Sequence, residues 1–530
     1  MHVPPATSFA LRIPPRGSLC ATLVIAVLAA SAAAQRQFDE LHGLPTGGGR
    51  PVFGDVDGDG DLDLVCARPG QSALYLNDGA GNFTDVTASR MPIANLESHS
   101  VVLGDVDGDS DLDMVLGNRG QQNRLYVNDG TGTFSDVTTS RMPIDSDPTA
   151  AVALGDVDGD GDLDLVCGND AVLGLTSYGW GSVGQPNRLY LNDGTGSFAA
   201  TSSRLPVDSD PTWAVALGDV DGDGDLDLVC ANGLSWLEFC GGGGFGGGID
   251  GGPYGCSMLY YGTQNRLYRN DGSGTFHDAT ADRLPAATEA TGAVALGDVD
   301  GDGDLDLVVG NSGLPWADPQ NRLLLNDGSG TFADATAAML PVDADDTGSV
   351  AFADFDGDGD LDIVLGNDPA SAMPARLYSN DGAGVYSDVS AVRMPPGGGN
   401  SVALGDVDLD GDCDLVFGSG QVRLFTNLLR QLEARTPPTI GQPYTLDVHS
   451  HFGPSVGFEV AYPILSTRRV SISLPPFGHL GVDPMLALPP VAIPQSDGIA
   501  TVTWNVPDLP RAIGMSIHAQ ALVISFPFEA

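Results

Sequence analysis

The chain contains no lysine, and all 23 of its basic residues are arginine. That removes Schiff-base chemistry and the lysine of a phosphate-binding loop. Bases are scarce as a class, because 70 acids leave a formal net charge of −47. Such a charge repels DNA, RNA and anionic membrane, so no nucleic-acid partner is expected. The 8 histidines are scattered and no His-Glu-x-x-His signature occurs, which disfavours a zinc hydrolase. Aromatic residues make up only 7% of the 530 residues. High charge with few aromatics can signal disorder. Here the acids sit at fixed spacing, and a 42% hydrophobic content is ample for packed cores in more than one domain.

Long apolar runs are also lacking, save one near the start. Arg12 and Arg16 precede an apolar stretch from Leu19 to Ala30, and Ala32-Ala33-Ala34 offers a small-residue cleavage site before Gln35. The run is short for a membrane span of about 20 residues. Cys20 follows Leu19 and precedes the apolar core, unlike a lipoprotein cysteine. Residues 1–34 therefore read as a signal peptide. No second segment spans a bilayer, so the expected product is exported, either secreted or at the cell surface.

What the chain has in abundance is a repeat. Asp55-Val56-Asp57-Gly58-Asp59-Gly60-Asp61-Leu62-Asp63 carries aspartate at positions 1, 3, 5, 7 and 9. The pattern returns at Asp105, Asp107, Asp109, Asp111 and Asp113, and at Asp156, Asp158, Asp160, Asp162 and Asp164. It returns again at Asp219, Asp221, Asp223, Asp225 and Asp227, and at Asp298, Asp300, Asp302, Asp304 and Asp306. The last two copies are Asp354, Asp356, Asp358, Asp360 and Asp362, then Asp406, Asp408, Asp410, Asp412 and Asp414. These 35 aspartates are half of the 70 acids. The charge is mostly a site signal.

Each acidic loop lies between strand patterns, as in Ala151–Leu154 before the third loop and Leu163–Gly168 after it. Arg188–Leu191 follows, then Asn192-Asp193-Gly194, whose residues favour the positive φ of tight hairpins, then a segment opening at Phe198. Four antiparallel strands per unit, seven times over, predict an all-β fold: a seven-bladed β-propeller. The seventh unit has a third strand, 422–426, but no fourth after it. Phe38-Asp39-Glu40-Leu41 resembles the fourth strands Phe134/Asp136, Phe276/Asp278, Phe332/Asp334 and Tyr386/Asp388. The N-terminal segment is expected to complete the last blade and close the ring, which removes exposed sheet edges.

Alternate carboxylates with a backbone carbonyl at position 7 and an acid at position 9 suit one hard cation, and glycine at position 6 permits the sharp turn. Five carboxylates in nine residues repel one another without a cation. No His or Cys stands at a ligand position, which disfavours zinc and copper; Ca²⁺, about seven ions in a structural role, is expected. An EF-hand or dockerin loop would lead into a helix, whereas strand sequence follows here. Ser110 replaces glycine at position 6 of the second loop. In the seventh loop, Leu409 stands at position 4 and Cys413 at position 8.

These units resemble the FG-GAP/VCBS repeats of bacterial secreted proteins, which are similar to the blades of the integrin α-subunit propeller. The resemblance covers about 37–430 and is specific for fold and calcium, not for function. It implies that side chains at positions 1, 3, 5 and 9 coordinate calcium. The domain reading is a signal at 1–34, a propeller at 35–430 and a C-terminal domain at 431–530.

The calcium loops join first and second strands and so share one end of the ring. Insertions collect at the other, with Tyr178, Trp180, Trp236, Phe239, Phe245, Tyr254, Tyr260, Tyr261 and Trp316. Blade-to-blade loops there add Asp145, Asp147, Asp208, Asp210, Asp343, Asp345 and Asp346, with Trp213. Aromatics with acids on such loops suit recognition of a sugar or protein; alternatively the aromatics fold back over the ring's centre. Cys240 and Cys256 flank a glycine run, and an oxidising compartment favours a disulfide there. Cys66, Cys167 and Cys230 read as buried and unbridged. Arg124, Arg188, Arg266, Arg322, Arg376 and Arg423 recur at the start of strand three and are expected to have structural partners within each blade.

Beyond Asn427, alternating strands with Pro-rich turns predict a small β-sandwich, and His449, His451 and His518 read as structural or exposed. The leading functional expectation is a non-catalytic binding or adhesion module for an extracellular glycan or protein. The alternative is a polysaccharide lyase or hydrolase using the insertion face. The oligomeric state is not legible.

Overall fold

The computed structural model describes residues 48–427 except 80, 177–178, 202, 241–255, 313–319, 369–372, 395–396 and 410, together with Phe38–Leu41 and nine strands between 432 and 526. Backbone alone is described for 39–41, 176, 179–180, 236–240, 256–258 and those nine strands. The expected signal segment, and most of the insertion aromatics, lie outside these limits.

The third unit illustrates how a blade forms. Thr149–Gly155, Asp164–Asn169, Arg188–Leu191 and Ala199–Ala200 pair antiparallel in that order. Asp164–Asn169 is buried along its whole length, because neighbouring blades cover both of its faces. That is why its sequence is a continuous Leu-Val-Cys run and not an alternation. Six blades repeat this plan within the chain.

The seventh blade is completed from the other end. Phe38–Leu41 pairs antiparallel with Arg423–Asn427, Phe38 opposite Asn427. Phe38 is fully buried and sets its ring edge-on to Phe355 at 5.7 Å. The core consists of seven apolar clusters, each filling one seam between adjacent blades. The seam of blades one and seven joins Leu64, Cys66 and Tyr75 to Val407, Val416 and Leu424. The protein is a closed seven-bladed β-propeller.

A second tie crosses every seam. The Asn of each third-strand turn donates its Nδ2–H to the position-2 carbonyl of the preceding acidic loop: Asn128 to Val56 and Asn192 to Val106, both at 2.7 Å. Asn77 donates to Val407 at 2.7 Å and Asn427 to Phe355 at 3.0 Å, so the series runs through the closing blade.

Two features escaped sequence reading. One-turn helices Thr87–Arg90, Thr138–Arg141, Thr280–Arg283, Thr336–Met339 and Ser390–Arg393 follow the fourth strands. Each starts where a fourth-strand Asp accepts the backbone N–H two residues on, as Asp85 does from Thr87 at 3.0 Å. Four residues are too few to show a helical period. The insertions of blades three and four are hairpins, Ala171–Thr176 with Gly179–Gly184 and Leu234–Cys240 with Cys256–Gly262. They meet at Gly181 opposite Leu237, forming one further four-stranded sheet. Cys240 stands opposite Cys256 in that register.

Residues 36–430 form one compact unit, and the C-terminal strands belong to another. There Leu432–Ala434, Pro443–His449 and Ile499–Asn505 share a sheet, and Phe458–Ser466 pairs with Leu486–Ala487, Val491–Ile493 and His518–Phe526. Their side chains, those of His449 and His518 among them, lie outside the described residues.

Candidate metal centres and the opposite mouth of the ring

In each acidic loop the aspartates have different tasks. At position 1, Asp55 accepts the N–H groups of Gly58 (2.8 Å) and Asp59 (3.2 Å) on one oxygen and that of Gly60 (3.0 Å) on the other, which curls the loop around it. At position 5, Asp59 accepts from Asp61 N–H at 3.1 Å. At position 9, Asp63 is buried and receives Val56 N–H at 3.0 Å and Asn77 N–H at 2.9 Å, joining loop, first strand and third strand. Burial pushes the Asp63 carboxyl up to about 6, and likewise Asp113, Asp164, Asp227 and Asp306. Asp362 rises to about 7, and Asp414 is raised by burial and then by Asp408.

Position 7 differs. The Asp61 and Asp111 carboxylates turn toward the turn glycines Gly79 and Gly130, coming within 2.6 and 2.5 Å of where a Cβ would stand. Only glycine fits those turns, which also have φ of +73° and +75°.

The decisive atoms are at position 3. The Oδ1 atoms of Asp57, Asp107, Asp158, Asp221, Asp300 and Asp356 are buried with no hydrogen-bond partner. The other oxygen is held by an arginine in several blades: Arg141 to Asp107 and Arg393 to Asp356 at 2.9 and 2.8 Å, Arg90 to Asp57 at 3.5 Å. The one-turn helix of blade five, Thr336–Met339, ends in methionine instead, and no arginine among the described residues pairs with Asp300. A buried carboxylate oxygen without a donor is costly, and six repetitions point to a cation. Carboxylate oxygens at positions 1, 3 and 9 lie within 4.8 Å of one another in loops one to four, as do those at 1, 3 and 5 in loop five. Ligands across a calcium ion are separated by roughly 4.6–5.2 Å, twice the Ca–O bond. The residues fit the ion.

The two irregular loops keep their geometry at a cost in backbone strain. Ser110 adopts φ +75° and Leu409 φ +58°, where the other loops use glycine. Asp410 lies outside the described residues.

At the other end of the ring a cavity of about 1010 Å³ opens on the axis, lined from the starts of all seven first strands. Five first strands carry a bulge there, and the extra residues are His99, Ala150, Trp213, Gly292 and Gly348. All five line the cavity. A bulge re-aims a side chain, and here near-identical repeats diverge in chemistry.

The blade-to-blade acids correct one expectation. Six of the seven are internal ties, and Asp346 lines the axial cavity. Asp145 and Asp208 accept the hydroxyls of Tyr190 and Tyr268, and Asp343 that of Tyr378 at 2.7 Å. Asp147, Asp210 and Asp345 hold Arg188, Arg266 and Arg376 at 2.6, 2.6 and 2.5 Å. The recurrent strand-three arginines thus find partners on the incoming loop as well as on their own fourth strand, where Arg376 meets Asp388 at 2.8 Å. Arg423 instead lies 4.9 Å over the Phe425 ring. Cys66, Cys167 and Cys230 are buried and free. Tyr178, Trp180, Trp236, Phe239, Phe245, Tyr254 and Trp316 lie outside the described side chains; Tyr261 is 39% exposed.

Cartilage acidic protein 1 of Xenopus tropicalis is 30% identical over 168 residues, covering 30% of this chain and 25% of that protein. The Homo sapiens protein of the same name is 31% identical over 168 residues, covering 30% and 24%. The matched part thus spans about a quarter of these relatives. Among solved structures, an Agrocybe aegerita lectin that recognises non-reducing terminal N-acetylglucosamine aligns with TM-score 0.39 and 18% identity, over 64% of this chain and 79% of that one. The extracellular domain of a one-component system of B. thetaiotaomicron aligns with TM-score 0.43 and 12% identity, over 78% and 45%. The FG-GAP-like repeat matches at residues 55–116, 105–167, 170–230, 256–309 and 314–365, together more than half of the chain, and the protein belongs to that family.

Proposed function

We propose that this chain is an exported, calcium-bound propeller acting as a non-catalytic binding module for an extracellular glycan or protein. One observation carries the reading: near-identical blades diverge where their bulged residues meet an open axial cavity. A repeat kept uniform for folding and varied at one mouth is a scaffold with a recognition end.

Calcium ions at positions 1, 3, 5 and 9 of the acidic loops, with the position-7 carbonyl, would hold the opposite end. Their role is structural, because the loops are alike and every seam is tied through them. At tenfold excess over Kd each site contributes about 1.4 kcal/mol, so seven give on the order of 10.

The polysaccharide-cleaving alternative gains no specific support. The chain's Gly-x-Ser-x-Gly string, 453–457, falls between strands Pro443–His449 and Phe458–Ser466, whereas a nucleophile elbow needs a strand, a turn and a helix.

Metal analysis of the purified protein should find about seven calcium ions, and a glycan and protein array in excess calcium should return a ligand. Absence of bound Ca²⁺ with identical melting in EDTA would sink the metal assignment. Product release from a polysaccharide panel would overturn the non-catalytic one.

A further inference from the structure

At one register position of the first strand, six blades place a small residue: Ser100, Ala151, Ala214, Ala293 and Ser349, each just past a bulge, and Ser401, each opposite a Gly or Ala. Blade one places Arg50 there, opposite Ala67. Arg50 is exposed to the axial cavity, and no carboxylate among the described residues pairs with it. Arg119 reaches the same cavity with its side chain 47% exposed while holding Asp170, whose other oxygen takes the Trp213 Nε1–H at 3.0 Å. Arg68 and His99 complete this side.

Arg119 brings a like charge to the same cavity, and burial with both arginines lowers the His99 pKa. The group gathers basic residues on one side of the cavity, inside a chain of net charge −47. An arginine left without an acid amid such an excess of acids has the environment of an anion receptor.

The rest of the wall restricts the anion. Asp346 and Asp368, both of blade six, also line the cavity. They and the overall charge repel a ligand with many carboxylates, but carboxylate oxygens accept from hydroxyl groups. One acid group and several hydroxyls are the complement.

We infer that the axial cavity binds an acidic saccharide, its carboxylate on Arg50 beside Arg119, its hydroxyls toward Asp346 and Asp368, and Trp213 as the apolar wall. This rests on the reading of the propeller as a binding module.

The test uses the full chain in excess calcium on an array of uronate-containing glycans, their methyl esters, neutral glycans and polyglutamate peptide. Arg50→Ser is the informative variant, since serine occupies this position in three other blades. Its thermal melt and calcium content should match wild type. Uronate glycans should bind, and both esterification and Arg50→Ser should weaken binding roughly tenfold to a hundredfold. Equal binding of the esters or by Arg50→Ser, or capture of polyglutamate instead, overturns the inference and leaves the binding-module reading standing. An array blank for every glycan and peptide overturns both.

Discussion

Asn128→Ala tests whether the seams are held as described. The Asn128 amide donates to Val56 O at 2.7 Å and Leu112 O at 3.2 Å. Its Oδ1 accepts from Asp129 N–H at 2.9 Å and Gly132 N–H at 3.1 Å. The residue is 4% exposed, so water does not replace these partners. Four hydrogen bonds at about 1 kcal/mol each, partly recovered by relaxation, give a loss of about 3 kcal/mol. At about 2.1 cal/mol/K per residue over residues 36–430, that lowers Tm by about 4 °C. Asn82→Ala is the control, because exposed Asn82 bonds, among the described residues, to Asp78 of its own turn. Urea and thermal melts in excess calcium measure both. If Asn128→Ala and Asn82→Ala melt within a degree of each other, the inter-blade bonds do not hold the ring.

Four further outcomes are expected. Phe38→Ala removes a fully buried ring from the closing blade and should cost about 3–5 kcal/mol by urea melt. Ser110→Gly relieves a φ of +75° and should stabilise by about 1 kcal/mol, with tighter calcium binding in a chelator competition. EDTA should lower Tm by many degrees, and restoring calcium should reverse it. Burial raises the Asp145 carboxyl despite the Tyr190 hydroxyl bond. A raised folded pKa favours the protonated form, so this residue's contribution is greatest below the ordinary carboxylate value of about 3.9 and declines as pH rises through the raised one. Asp145→Asn keeps an acceptor and cannot ionise, so its stability relative to wild type should grow between acid and neutral pH.

Much was legible in the residues. The loop spacing gave seven blades because each must turn sharply around an acid, and strand sequence rather than a helix follows each turn. The Phe38-Asp39-Glu40-Leu41 match located the closing strand because fourth strands share an aromatic that fills a seam. Ser110 and Leu409 stood out because positive φ favours glycine. Other features depend on contacts between residues far apart in the chain. Asp147 and Arg188 are 41 positions apart, so acids that looked like ligand contacts proved to be internal partners.

The sequence alone therefore determined the repeat, the blade count, the cation-ready loops and the way the ring closes, since each follows from local turn chemistry and a fixed period. Tertiary structure alone decided which carboxylate oxygens are left without donors, that five bulges aim at one axis, and that Arg50 faces a cavity with no carboxylate among the described residues paired to it. Those are consequences of seven sheets converging on a common centre, where residues about fifty positions apart become neighbours.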